Sequence, residues 1–138
     1  MEIQIHAVPY EKEGHKMLRV ECDAEILFPT STGQARCKLT RALWDTGATN
    51  TCIPMKTALV MGIPLGDEFP MRMGSSVGRP RFCQFLLRLP TGDIIPVLEG
   101  AAVPNMQTSL IIGMDIISRG KTTIEPDGEG GVYFTFSI

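Results

Sequence analysis

The chain has 138 residues, 43% of them apolar and 20% charged, with a formal net charge of -2. That length suits a single domain, 1–138, with a real hydrophobic core, and the composition excludes a disordered chain. Its 13 basic residues are scattered among 15 acidic ones, so no nucleic-acid or anionic-membrane surface is expected. The opening Met1-Glu2-Ile3-Gln4-Ile5-His6 has neither a basic nor a long apolar region. No apolar run reaches the roughly 18 residues of a membrane span, so a cytoplasmic protein is expected.

Ile3, Ile5 and Ala7 alternate with polar residues and predict a strand that Pro9 stops. Residues 11–16 read as a charged turn with a solvated His15. Next, Leu18, Val20, Cys22, Ala24 and Ile26 are expected on one face of a strand, with Arg19, Glu21, Asp23 and Glu25 on a solvated face. Pro29-Thr30-Ser31-Thr32-Gly33 reads as a loop. A returning strand, 35–44, carries Arg36 and Lys38, placed to meet the acidic face across a hairpin. Thr51-Cys52-Ile53 is short and apolar. Pro54 suits the first turn of a helix over 55–61, and Gly62 suits its end.

Residues 71–80 place Gly74 and Gly78 around a small polar tip, before an alternating strand over 82–89. This predicts a hairpin that is either a plain surface turn or a lid over a cleft. Thr91-Gly92-Asp93 is a turn into Ile94-Ile95-Pro96-Val97-Leu98. The apolar run Leu110-Ile111-Ile112 then meets Gly113 and a short helix that stops by Gly120. Finally, Val132, Phe134, Phe136 and Ile138 share one face of a C-terminal strand. Many short strands, close turns and two short helices predict a mostly-β domain with a closed or strongly curved sheet.

Cys22, Cys37, Cys52 and Cys83 form no C-x-x-C pair, and only His6 and His15 accompany them. No zinc site or other cofactor is expected. Apolar neighbours favour buried thiols at Cys37, Cys52 and Cys83, in a reducing compartment. A Cys–His nucleophile pair remains the alternative, although neither histidine has a recognisable context.

The sharpest feature is Ala42-Leu43-Trp44-Asp45-Thr46-Gly47-Ala48-Thr49-Asn50. An apolar strand ends abruptly in a carboxylate and small residues. Alone, this is compatible with an ordinary Asx turn. Together with the Gly74–Gly78 hairpin and Leu110-Ile111-Ile112-Gly113-Met114-Asp115, it resembles the retropepsin-like aspartic proteases, over about residues 35–120.

The resemblance implies a closed-barrel-like acid protease fold with one lobe per chain, and an aspartic endopeptidase acting on peptides or proteins. Such chemistry needs two carboxylates sharing one proton. This chain has one Asp-Thr-Gly, and Asp67, Asp93 and Asp115 lack that context. The expectation is therefore a C2 homodimer in which each copy supplies Asp45. By the same resemblance, Thr46 holds the two loops together across the axis. Gly47 lets backbone approach substrate, and Ala48 lines the cleft floor. Gly74, Ser75, Ser76, Val77 and Gly78 form a flap over the peptide. Asp115 braces the short helix. Ala48 cannot donate the hydrogen bond of a Ser or Thr, which implies activity at mildly acidic to neutral pH. Arg79 and Arg81 either favour acidic substrate residues or are solvated surface charge. The C-terminal strand either pairs with its mate in the dimer or closes its own sheet. A catalytically weak peptide-binding or dimerisation module is the competing reading.

Overall fold

The computed structural model describes residues 1–73, 76–106 and 109–138. The strands in chain order are β1 (Glu2–Ala7), β2 (Tyr10–Lys12), β3 (His15–Met17), β4 (Glu21–Thr30), β5 (Gly33–Trp44) and β6 (Cys52–Pro54). Helix α1 (Met55–Met61) follows, then β7 (Met71–Met73), β8 (Ser76–Gly78), β9 (Arg81–Arg88), β10 (Ile94–Val103) and β11 (Leu110–Ile112). Helix α2 (Met114–Ile117), β12 (Lys121–Pro126) and β13 (Val132–Ser137) complete the chain.

Six strands close a barrel in the order β10-β6-β11-β5-β4-β9. The expected mostly-β fold with a closed sheet and two short helices is what the chain forms. Closure leaves the barrel without open edges. Its interior is filled by Ile26, Ile53, Leu87, Val97, Leu110 and Ile112, all fully buried. Helix α1 starts after an extended Pro54 and ends at Gly62, whose φ of 72° is the left-handed conformation that glycine adopts without a side-chain clash.

Several local expectations need correction. Residues 11–16 are not one charged turn: β2 and β3 form a hairpin whose bend places Glu13 and Gly14 at φ 54° and 78°. Positive φ at both positions matches the twist of a tight hairpin. The 29–33 segment is likewise mostly strand, since the β4–β5 ladder extends to Thr30↔Gly33. Leu18 lies ahead of β4 and is exposed. A register shift between Cys22 and Ala24 breaks the simple alternation.

Glu25 is buried rather than solvated, because β9 covers that part of β4. Its partner is Arg88, whose Nη1 lies 2.9 Å from Glu25 Oε1. Lys38 does sit opposite Glu25 in the ladder, but β9, on the other side of β4, supplies the ion pair.

β13 is the centre of a separate sheet, β1-β13-β12. Within this chain the C-terminal strand therefore closes its own sheet, with both its edges occupied. The chain ends are joined as well: Met1 N donates to Ile138 O at 3.1 Å, and Ile138 N to Met1 O at 3.0 Å. Trp44, the last residue of β5, ties this sheet to the barrel. Its ring packs on Phe134 and Phe136 at centroid distances of 5.3 and 5.2 Å, and its Nε1 donates to Cys22 Sγ.

Candidate active site

β11 delivers the site by inserting between β5 and β6. It runs parallel to β5, with Ile112 opposite Trp44, and antiparallel to β6, with Ile111 opposite Cys52. As β5 ends, Asp45 N donates to Ile112 O at 2.9 Å. The chain then turns sharply. Asp45 Oδ1 accepts from Gly47 N at 2.8 Å, and Ala48 N donates to Asp45 O at 3.2 Å. The Asx turn is real, and it leaves the half-buried carboxylate fixed at the mouth of a cleft.

The segment after β11 braces this turn from behind. Met114 N donates to Ala48 O at 2.8 Å and Asp115 N to Thr49 O at 3.1 Å. Gly113 makes that approach possible. A Cβ there would lie 2.7 Å from Asn50 C and O and 2.9 Å from Ala48 O. Fully buried Thr51 completes the brace: its Oγ1 donates to Asp115 Oδ1 at 2.7 Å and accepts from Gly113 N at 3.1 Å. Asp115 Oδ1 also accepts from Ile116 N at 3.0 Å. Asp115 is thus engaged in holding α2 and the loop together.

The cleft has a volume of about 710 Å³. Asp45, Gly47, Ala48, Thr49 and Asn50 form one side, with Cys52, Val103, Met106 and Ile111 beside them. Phe69, Pro70, Met71, Arg72 and Met73 also line the cleft. Of the residues singled out in sequence, Asp45, Gly47 and Ala48 line this space. Thr46 is exposed on the loop crest. The expected hairpin exists as β7 and β8, with Arg72 opposite Val77. Its cleft-lining residues, however, come from β7, whereas the expected Ser76, Val77 and Gly78 lie on β8. Gly74 and Ser75 fall outside the described residues.

The apolar liners Met71, Met73, Val103 and Met106 escaped sequence reading. They come from separate segments, and nothing in their spacing distinguishes a cleft wall from a core. Arg79 and Arg81 are engaged locally. Arg79 Nε lies 3.3 Å from Glu68 Oε2, and Arg81 Nε donates to Gly66 O at 2.8 Å.

Cys52 reaches the cleft, but burial, then the nearby Asp115 and Asp45 carboxylates, push its thiol up to about 12. It is a neutral thiol at physiological pH, not a nucleophile. His6 is bound to Asp127 at 2.8 Å on the terminal sheet, and His15 lies on β3. Neither lines the cleft, so the Cys–His alternative has no geometric support. All four cysteines are free, Cys52 and Cys83 buried, Cys22 and Cys37 half-buried. Among the described residues, no cluster of His, Cys, Asp or Glu could hold a metal ion. Nor is any described helix long and apolar enough to cross a membrane.

No protein-family model matches the sequence, and no curated protein matches it. Among solved structures, the chain is similar to the crystal structure of a retropepsin-like aspartic protease from Rickettsia conorii. The TM-score is 0.55 at 14% identity, over 100% of this chain and 93% of that one. At that identity the likeness is one of fold, and the fold is retropepsin-like.

Proposed function

We propose that the chain is half of an aspartic endopeptidase, completed when a second copy brings its own Asp45 to the first. The observation that carries this reading is the Asp45 carboxylate, held by Gly47 N at 2.8 Å on a loop that Gly113 backs. It lies at the edge of a cleft facing a β-hairpin. Two such carboxylates within hydrogen-bonding reach share one proton. The ionised member takes a proton from water, which attacks the peptide carbonyl. The protonated member supports the oxyanion and then delivers a proton to the leaving nitrogen. The pair titrates as a unit. The substrate peptide lies extended between loop and hairpin, where strand-like backbone bonds can hold it.

Exposure of Thr46 and Gly47 on the crest of the loop leaves that side open for the second copy. No cofactor enters the scheme, and the free thiols suit a reducing, cytoplasmic setting. The competing reading, a peptide-binding module with weak or no hydrolysis, shares the fold and differs in the dyad.

Asp45→Asn decides between them. Peptide hydrolysis by the purified protein is expected to fall by about 10⁴-fold, with the cooperative unfolding transition retained. Specific activity of the wild type is expected to rise with protein concentration in step with dimer formation, followed by sedimentation. Undiminished cleavage by the Asn variant defeats the proposal. A wild-type dimer that binds peptides without cleaving them supports the module reading.

A further inference from the structure

A second cavity, of about 600 Å³, adjoins the cleft. Two contacts join the walls of these spaces. Phe69, which lines the cleft, stacks on Phe82, which lines the second cavity, at a centroid distance of 3.9 Å and 15°. Asn50, also in the cleft, donates from Nδ2 to Glu99 O at 2.9 Å, and Glu99 lines the second cavity. The walls of the two spaces therefore touch each other along both contacts.

The rim at Glu99 is a built feature. The β10–β9 register slips between Val97 and Gly100. Val97 and Gly100 are buried, while Leu98 and Glu99 between them are exposed. Gly100 allows this, since a Cβ there would lie 2.8 Å from Phe85 Cε1 and 2.9 Å from Cys83 O. Bulges of this kind re-aim side chains beside functional sites. Here the result is an apolar groove lined by Pro64, Leu65, Phe82 and Leu98, with the exposed Glu99 also among its lining residues. Among the described residues, the Glu99 carboxylate makes no salt bridge.

We propose that the Leu98–Glu99 bulge is a specificity element that selects a Lys or Arg in the outer part of an extended peptide. A long base matches the groove in both its parts. Its methylene stem lies along Phe82 and Leu98, and its cation meets Glu99. An acidic residue meets a like charge, and a short apolar one leaves the carboxylate unpaired. The proposal rests on the reading of the cleft as a peptide site. In the two-fold dimer the element recurs at both ends of the bound chain.

The test uses fluorogenic peptides that share one scissile pair, with Lys, Leu or Glu scanned through each outer position. Wild type, Glu99→Gln and Glu99→Lys are compared by the ratio of kcat/KM for Lys over Glu peptides within each protein. At one outer position the wild type is expected to favour Lys by about fivefold at low salt, the size of a partly exposed ion pair. The preference is expected to shrink with added salt, to vanish in Glu99→Gln and to reverse in Glu99→Lys. A ratio unchanged across the three proteins, or no charge preference in the wild type, overturns the proposal. If no peptide is cleaved, the endopeptidase reading fails on its own. Fluorescence anisotropy of the same peptides then reads the groove. Glu99-dependent selection of Lys supports this inference, and charge-blind binding overturns it.

Discussion

The loop carrying Asp45 and the hairpin facing it border one cleft but are built in opposite ways. The loop is pinned from within and from behind: by Ile112 O on Asp45 N, by Met114 N on Ala48 O, by Asp115 N on Thr49 O, and by Glu99 O on Asn50. The hairpin is a two-stranded ribbon of three register pairs with Val77 65% exposed. Few buried contacts mean low local stability, and an isolated two-stranded ribbon is marginal in water. Under the proposed function, such a contrast would hold the Asp45 carboxylate still while the less firmly held hairpin admits a peptide.

The largest way to break the contrast is to loosen the floor. Gly113→Ala drives a methyl group into the backbone of Asn50 and Ala48, which cannot swing aside as a side chain can. The expected cost is about 1–3 kcal/mol of stability. Displacement of the Asp45 loop is expected to cut peptide hydrolysis by about 10²-fold. Denaturant titration and initial rates check both, and a wild-type rate with wild-type stability defeats the account of the brace.

A smaller effect is expected in the hairpin. At Gly78 a Cβ meets the Met73 sulfur, and that flexible side chain can move. Gly78→Ala is expected to change stability by less than about 1 kcal/mol. It is expected to alter KM for peptides more than kcat, because Met73 lines the cleft. Equal losses in kcat and kcat/KM count against that assignment.

The smallest effect sharpens the floor through pH. Burial pushes Cys52 and Cys83 up to about 12 from 9.0. A folded-state value above the unfolded one means the neutral thiols stabilise the fold fully below pH 9 and lose that contribution as pH rises toward 12. Native protein at pH about 8 is expected to label at half-buried Cys37 faster than at Cys52, read by mass spectrometry after brief alkylation. Faster labelling at Cys52 argues that the floor opens.

The strongest local signals in the sequence were chemical or steric at single residues. Asp45 in its small-residue turn, Gly113 after the apolar run, and α1 between Pro54 and Gly62 were readable because each residue type restricts the backbone by itself. The β7–β8 hairpin was readable as a turn, yet not which of its strands borders the cleft. β2 and β3 were missed because three-residue strands of exposed, mostly polar residues carry no alternation. Glu25 was misplaced because its burial depends on β9, distant in sequence. The Phe69–Phe82 stack and the bulge at Leu98–Glu99 are products of tertiary packing, and no local pattern announces them.

The position of Trp44 has an optical consequence. It is the chain's single tryptophan, buried against Phe134 and Phe136 and adjacent in sequence to Asp45. Its emission therefore reports on one place, the junction of the terminal sheet with the strand that bears the carboxylate. A blue-shifted native spectrum that reddens on unfolding follows from that burial. Any event that lifts the terminal sheet from the barrel is visible without an added dye, even while the remaining strands stay paired.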